Sequence, residues 1–470
     1  MTTPWHREDS RHPDAVGPDL VDPARLPPHD DVDWRTDTAS LDAHRFDRSG
    51  WTPDVRPAVV ASVRGVAGVQ HVARHAHRTG TPLVARGAGT GLTGAATAVD
   101  GGIVLDLTGL NRVVDILPAD ELALVEPGVL TADLDRAAAR HGLRYAPDPA
   151  SVEISTIGGN IATNAGGLRC AKYGVTRDAV LGLDVVLADG RLIHTGRRAI
   201  KGVTGYDLTS LFVGSEGTLG VIVGATLRLR PIPVATATLS GYFPDAEAAF
   251  AAVGAVRAAG IVPAVAEFID GPTLERIDEH LGTDLRARGA AFVLLQTDGA
   301  AAEQEAATAA GVLRGRATSL EVTTDPAEAA RLTAVRRAAL PALERVGRVL
   351  IEDIGVPRSR LPEAVAAVRD AAAATGTSIH TFAHAADGNL HPIIVLSAEQ
   401  ELTDPDVQAA ADAVFRAALR LGGTVSGEHG VGALKRRWMR AELGEDVDAL
   451  QRQIKDVFDP TGILNPGKAV

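Results

Sequence analysis

The chain has 470 residues, of which 45% are hydrophobic and 23% charged, with a formal net charge of −12 at pH 7; this length suits two or three domains of ordinary globular composition. The negative balance, with no Lys/Arg cluster against it, excludes general nucleic-acid binding, and no apolar run approaches the roughly 18 residues of a membrane span. A single cysteine, Cys170, excludes an internal disulfide framework and any multi-cysteine metal site.

Residues 1–50 are rich in Pro, Asp, His and Arg with little periodicity, and are expected to form an extended or partly disordered lead-in. The opening "MTTPWHREDSRHPDAVGPDL" lacks the apolar core of a secretory signal, so a cytoplasmic protein is expected, with peripheral membrane association left open.

From 51 to 235 the sequence is rich in glycine and strand-forming residues. "PLVARGAGTGLTGAA" satisfies G-x-G-x-x-G after a plausible strand, but "AATAVDGGIVLDLTGL" then brings a turn and another strand where a dinucleotide fold needs a helix. A Rossmann site is therefore not expected. The crowded glycines instead leave backbone N–H groups free to nest phosphate oxygens, with Arg86 adding charge. Two further blocks follow, "PDPASVEISTIGGNIATNAGGLRCAKYG" and "KGVTGYDLTSLFVGSEGTLGVI". Three such blocks within about 140 residues favour the cradling of a large polar ligand, because glycine lets the backbone approach and Ser, Thr and Asn supply hydrogen bonds. His194, in "GRLIHTG", reads as a surface hairpin residue.

Between 236 and 400 strands alternate with Ala-rich amphipathic segments, which reads as an α+β or α/β layer with helices on one face. "VLIEDIGVP" holds paired carboxylates, Glu352 and Asp353; neighbours on a strand face opposite ways, so at most one reaches a shared pocket. "SIHTFAHAADGNLHPIIVL" carries Asp387-Gly388, a favoured hairpin pair. With those two residues at the centre of the turn, His384 faces His391, with Cβ atoms roughly 5 Å apart, close enough to share a metal ion. His380 has the same strand parity and is expected to be packed or hydrogen-bonded. The last 65 or so residues read as mostly helical, broken at "GGTVSGEHGVG" and closed by "FDPTGILNPGK". Glu428 and His429 sit in the break; two histidines and a carboxylate leave coordination positions open on Zn²⁺ or a similar ion. No solenoid repeat is present.

Together, "RGAGTGLTG", "TIGGNIATNAGG", "GYDLTSLFVGSEGTLGVI" and "FDPTGILNPGK" resemble the FAD domain of the vanillyl-alcohol oxidase and para-cresol methylhydroxylase superfamily. From about residue 50 to the C-terminus the chain is most similar to the branch that holds D-lactate dehydrogenase, glycolate oxidase and D-2-hydroxyglutarate dehydrogenase. The resemblance implies an α+β fold: a two-subdomain PCMH-type FAD-binding domain over 51–235, an α+β (ferredoxin-like) substrate or cap domain over 236–410, and a C-terminal helical segment over 411–470 that completes the active site. It implies that Arg86, Gly87, Ala88, Gly89, Thr90, Gly91 and Leu92 bind the pyrophosphate of FAD. Pro147, Asp148, Thr156, Gly159, Asn160, Thr163, Asn164, Gly166 and Gly167 would line the ribityl and isoalloxazine region. Glu216, Gly217, Val221, Ile222 and Asn465 would complete the pocket. No His or Cys lies in the 86–94 loop, so non-covalent FAD is expected, and Cys170 is read as a buried structural thiol.

"HAADGNLH" and "EHG" look like the family's metal ligands, mapping to His384, His391 and Glu428 with His429 as the adjacent base. Ala386 departs from the family's usual glycine. The substrate-carboxylate arginine maps to Arg336, with Arg337 as a substitute, and Thr333 stands where the family has an aromatic residue. The reaction so implied is oxidation of a D-2-hydroxy acid (D-lactate, glycolate or D-2-hydroxyglutarate-like) to the 2-oxo acid, with Zn²⁺ favoured and Mn²⁺ or Fe²⁺ also suited. The alternatives are a flavin-dependent transferase of the alkyl-dihydroxyacetone-phosphate synthase type and a non-catalytic flavin-binding subunit. The electron acceptor is left open among a quinone, a cytochrome, a flavoprotein and O₂, and a homodimer is allowed for.

Overall fold

The computed structural model describes residues 26–470. The first half of the expected lead-in, residues 1–25, lies outside the described residues. The second half is folded: Val32–Arg35 pairs antiparallel with Val59–Val63, and Asp37 caps a short helix, Thr38–Ala43, by accepting from the Ser40 N–H. A four-residue strand is too short to register as periodicity, and Trp34 and Val32 find their core only in the strands and helix that follow.

Val59–Val63, Ile103–Asp106 and Leu83–Arg86 form the parallel part of a four-stranded sheet, with Val32–Arg35 antiparallel at its edge. The helix Val66–Thr79 carries the chain from Val59–Val63 to Leu83–Arg86 and stops at Gly80 in the left-handed region. No helix follows Leu83–Arg86; the chain enters the glycine loop directly. A second, antiparallel sheet runs in the order Val113–Leu117, Leu122–Val125, Val221–Arg228, Val180–Val186, Leu192–Gly196. The short helix Ile157–Thr163, capped by Thr156, brings the second glycine block against it.

The third sheet is antiparallel, in the order Ser319–Thr323, Thr236–Phe243, Ala291–Asp298, Val265–Asp270, Ser378–His384, Asn389–Val395, Val349–Ile351, with Ile354–Gly355 also against Asn389–Val395. Helices cover both faces rather than the one expected. Leu239, Phe268 and Val293 pack under the helices Ala246–Ala258, Ala302–Leu313, Leu361–Thr375 and Pro405–Arg420. Ile269, Phe292, Phe382 and Ile393 pack under Gly271–Leu281 and Pro326–Glu344. Doubly covered strands read as near-continuous apolar runs, and periodicity within such runs does not say which faces are buried.

The expected boundary at 410/411 falls inside the helix Pro405–Arg420, whose Val407, Ala410, Val414 and Phe415 belong to the third sheet's core. The helix Glu445–Phe458 packs instead on the second sheet, Phe458 lying edge-on to Phe212 with ring centroids 5.2 Å apart. Leu464 then bridges to Leu83, so the tail crosses the edge of the first sheet. Among the described residues no helix is long and apolar enough to cross a membrane.

Phe268, fully buried between its strand neighbours and Phe250, marks the centre of the largest core. Phe268→Ala is expected to lower unfolding free energy by about 3–5 kcal/mol in a denaturant titration.

Candidate active site

The two hairpin histidines meet, in a different register from the one predicted. His384 pairs with Asn389, and Phe382 with His391. The loop is therefore Ala385–Gly388, four residues rather than two, and it closes on the His384 carbonyl, which accepts the Asp387 and Gly388 N–H groups at 3.3 and 3.2 Å. A slip of two residues preserves strand parity, so both histidines keep the same face and approach diagonally. Ala386, in place of the family's glycine, is buried in the core beneath the loop.

Glu428 joins them from the 426–432 loop. His384 Nε2, His391 Nε2 and Glu428 Oε1 form a triangle with edges of 3.2, 3.3 and 3.5 Å. Ligands of a tetrahedral ion with bonds of about 2.0–2.1 Å stand roughly 3.3 Å apart, so this donor set fits a divalent ion such as Zn²⁺. Glu267, directly opposite His384 in the adjacent strand and 0% exposed, accepts from His384 Nδ1 at 2.6 Å. That bond fixes the ring and leaves Nε2 with its lone pair towards the triangle. Burial alone would raise the Glu267 carboxyl, but His384 and Arg336 outweigh it and hold it below its ordinary range.

Arg336 donates from Nε to the other oxygen of Glu267 at 2.7 Å, and its guanidinium lies 4.4 Å over the Phe382 ring. Phe382 thus supplies the aromatic face missing at Thr333, whose hydroxyl is turned to the Ala329 carbonyl of its own helix. That bond uses Nε, which leaves the two Nη atoms of Arg336 to other partners. Arg337 is exposed, so Arg336 is the arginine brought to the cluster.

Of the Glu352-Asp353 pair, Asp353 is the one that reaches in. One oxygen accepts the N–H groups of Glu428 and His429, both at 2.9 Å, and the Ser426 hydroxyl at 3.1 Å; the other accepts from Asn389 Nδ2 at 2.6 Å. Burial works against its charge, but His429, Lys435 and His391 outweigh burial and keep the carboxyl well below its usual range. His429 stacks on His391 with ring centroids 5.1 Å apart, its Nδ1 4.0 Å from Asp353 Oδ2 and its Nε2 3.6 Å from Glu428 Oε1. Burial opposes the imidazolium here too, yet Asp353 and Glu428 raise its pKa. Buried Lys435 bonds the carbonyls of Asp353 and Val425, tying the loop to the sheet edge.

Glu428 and His429 line a cavity of about 900 Å³ together with the glycine blocks, near the upper end of the roughly 300–1,000 Å³ range of cofactor sites. Arg86 to Leu92, Thr156, Gly159, Asn160, Thr163, Gly166, Glu216, Gly217 and Ile222 are all on its wall, as are Asp47, Arg48 and Pro127, which lie outside the motifs. A Cβ on Gly166 would collide with Glu428 Oε2, so the glycine lets the second block reach the triangle. The Arg86 guanidinium bonds the carbonyls of Phe46 and Ala96 at 2.8 and 3.0 Å, shaping the loop above it; Gly89, at φ +67°, closes over that group.

Six of the expected cofactor residues do not line the cavity. Pro147 leads into Asp148, which holds Arg169, and Gly167 packs on the Asp148 backbone. Asn164 ends the Ile157–Thr163 helix and accepts the Arg177 N–H. Val221 is core. Asn465 donates to the carbonyls of Ala95 and Glu216, pinning the tail across two glycine blocks. Glu216 also spends its carboxylate oxygens on the Val431 and Gly432 N–H groups at 2.6 and 2.7 Å; burial pushes its pKa up to about 7 against those bonds.

Sequence reasoning does not single out Glu267 or Lys435. Glu267 leaves one sign, as the lone acid in the apolar stretch "AVAEFI". His380 is buried, bonded to Ser378 Oγ at 3.2 Å, with burial lowering its pKa to about 4. His194 is exposed beside Asp184. Cys170 is free and half-buried rather than fully buried, and burial raises its thiol.

Two families match most of the chain between them: "FAD binding domain" over residues 57–196 and "FAD linked oxidases, C-terminal domain" over 232–469. Glycolate oxidase subunit GlcD of Bacillus subtilis is 44% identical over 392 residues, covering 82% of this chain and 83% of its own. D-lactate dehydrogenase of Archaeoglobus fulgidus is 36% identical over 437 residues, covering 91% and 96%. The crystal structure of p-cresol methylhydroxylase superposes with a TM-score of 0.75 over 93% of each chain at 18% identity, a likeness of fold alone.

In Asp353→Asn an NH₂ must face N–H donors whichever way the amide turns, so hydrogen–deuterium exchange at residues 428 and 429 is expected to speed up at least about tenfold, an uncompensated donor costing about 1–3 kcal/mol. Arg86 holds the Phe46 and Ala96 carbonyls from two separate Nη atoms, a fixed spacing that the single nitrogen of a lysine does not reproduce, so Arg86→Lys is expected to weaken FAD retention by about tenfold in equilibrium dialysis.

Proposed function

The chain belongs to the FAD linked oxidases, and from that premise we propose that it oxidises a D-2-hydroxy acid to the 2-oxo acid, using non-covalent FAD and a divalent metal ion. The observation that carries this reading is the His384–His391–Glu428 triangle, whose Glu428 corner, with the His429 imidazole beside it, lies on the wall of the cavity framed by the glycine blocks. The D configuration and the hydroxy-acid class follow the names of the relatives, glycolate oxidase and D-lactate dehydrogenase.

The reaction removes the C2 hydrogen with its electron pair and the hydroxyl proton. When bound, FAD supplies the two-electron acceptor and the divalent ion a Lewis acid that lowers the pKa of the hydroxyl. His384, His391 and Glu428 would hold that ion, with Glu267 fixing the His384 ring. Arg336 offers its fork to the substrate carboxylate, a bidentate match that sets the position of C2. His429 takes the hydroxyl proton, and the Asp353 carboxylate beside its Nδ1 stabilises the imidazolium that forms.

A transferase that does no net oxidation has no use for a hydroxyl-polarising ion beside a base, and a non-catalytic subunit has no need to keep these groups together. The Bacillus relative is by name one subunit of its oxidase, which favours a protein partner for this chain.

Purified protein offered D-lactate, L-lactate, glycolate and D-2-hydroxyglutarate without oxygen is expected to lose visible flavin absorbance with a D-acid or glycolate, to stop doing so with chelator, and to recover with added Zn²⁺ or Mn²⁺. His429→Gln is expected to slow that bleaching by about 10²–10⁴-fold with FAD and metal content unchanged. Flavin that stays oxidised with every acid at full cofactor occupancy would sink the proposal.

A further inference from the structure

Beyond the groups that hold the reacting carbon, the site has a second level. The helix Pro326–Glu344 carries Arg336, Leu340 and Glu344 on one stripe, each one turn further on. Leu340 and Glu344 line the cavity, and so do Ile351 and Val349 of the facing edge strand. The register sets Ile351 opposite Ile393 and Val349 opposite Val395, so both share the face of His391, with Ile351 the nearer. Leu340, Val349 and Ile351 pack on the same cluster as Phe382, over which Arg336 lies.

Distances follow from the backbone. One helical turn takes Leu340 about 6 Å beyond Arg336, and two strand residues take Ile351 about 6.6 Å beyond the level of His391. An extended 2-hydroxyglutarate spans four C–C bonds of about 1.5 Å, so its second carboxylate sits roughly 5 Å from the first. With the first carboxylate on Arg336 and the carbon chain running along the helix, the second falls at the level of Leu340 and Ile351. Neither offers a donor, and the next side chain along the helix, Glu344, carries like charge. The cations on the cavity wall are Arg48 and Arg86, both at the first glycine loop: the Arg48 N–H bonds the Gly91 carbonyl, and the Arg86 guanidinium is committed to the Phe46 and Ala96 carbonyls.

We infer that Leu340 and Ile351, backed by Glu344, select short monocarboxylic 2-hydroxy acids with an apolar side chain and reject 2-hydroxy dicarboxylates. This rests on the hydroxy-acid reading above and narrows it. An unpaired carboxylate against two aliphatic side chains is costly, whereas each methylene placed there gains.

The experiment compares kcat/KM for D-lactate, D-2-hydroxybutyrate, D-malate and D-2-hydroxyglutarate in the wild-type holoenzyme and in Ile351→Lys and Glu344→Gln. The wild type is expected to favour D-2-hydroxybutyrate over D-lactate by about tenfold and to use D-2-hydroxyglutarate at least about 100-fold less well, the scale on which unpaired groups are rejected. Ile351→Lys places an ammonium at the second level, and should raise the hydroxyglutarate-to-hydroxybutyrate ratio by at least about tenfold, with a smaller rise in Glu344→Gln. Equal use of D-2-hydroxyglutarate and D-2-hydroxybutyrate by the wild type would overturn the inference while leaving the oxidase reading intact. An unchanged ratio in an Ile351→Lys protein that still binds FAD and is reduced by D-lactate would overturn it as well. If Ile351→Lys does not fold, the wild-type panel and Glu344→Gln decide. Absence of turnover with all four acids would remove the parent reading and this one together.

Discussion

One buried carboxylate organises the chemistry of this protein. Asp353 is 0% exposed and accepts from two consecutive backbone amides, a hydroxyl and a side-chain amide. Those donors come from the 426–432 loop and from the hairpin strand, segments that would otherwise have no reason to hold a common geometry. A carboxylate with its lone pairs so used is far stronger than a neutral acceptor in the same place, because the bonds are charge-assisted and water does not compete. Glu428 and His429 owe their direction to it, and so does the position of the triangle relative to the cavity.

Glu267 does comparable work on the far side of His384. Its two oxygens divide between the imidazole and Arg336, so the groups proposed to hold the ion and the substrate carboxylate share a single anchor. A shift of that anchor moves both together, which keeps their separation constant. A buried anion of this kind is stable only because both partners are cations or donors in fixed rotamers; without them its desolvation would go uncompensated.

The site is also where the parts of the chain lock. Glu216, from the second sheet's side, holds the Val431 and Gly432 amides; Gly166 admits Glu428; and the tail passes Asn465 across two glycine blocks before ending near Gly432. Cofactor cradle and reacting groups are therefore built from one set of backbone bonds, and neither is complete in its own half of the sequence.

Local chemistry was legible in the sequence: the glycine loops, the histidine pair with its parity, and the Glu-His turn all depend on residues close in the chain, and the resemblance to a flavoprotein family rested on those stretches. Parity survived even though the hairpin register did not, since the pairing slips by two residues and an even slip leaves every side chain on its face. The folding of residues 26–50, the covering of both faces of the third sheet, the choice of Arg336 over Arg337, and the roles of Glu267, Asp353 and Lys435 were decided by tertiary structure alone. Each depends on a partner tens to hundreds of residues away, and a buried charge is defined by what surrounds it; the sequence by itself names the charged residue, and only the packed chain supplies the donors that make its burial stable.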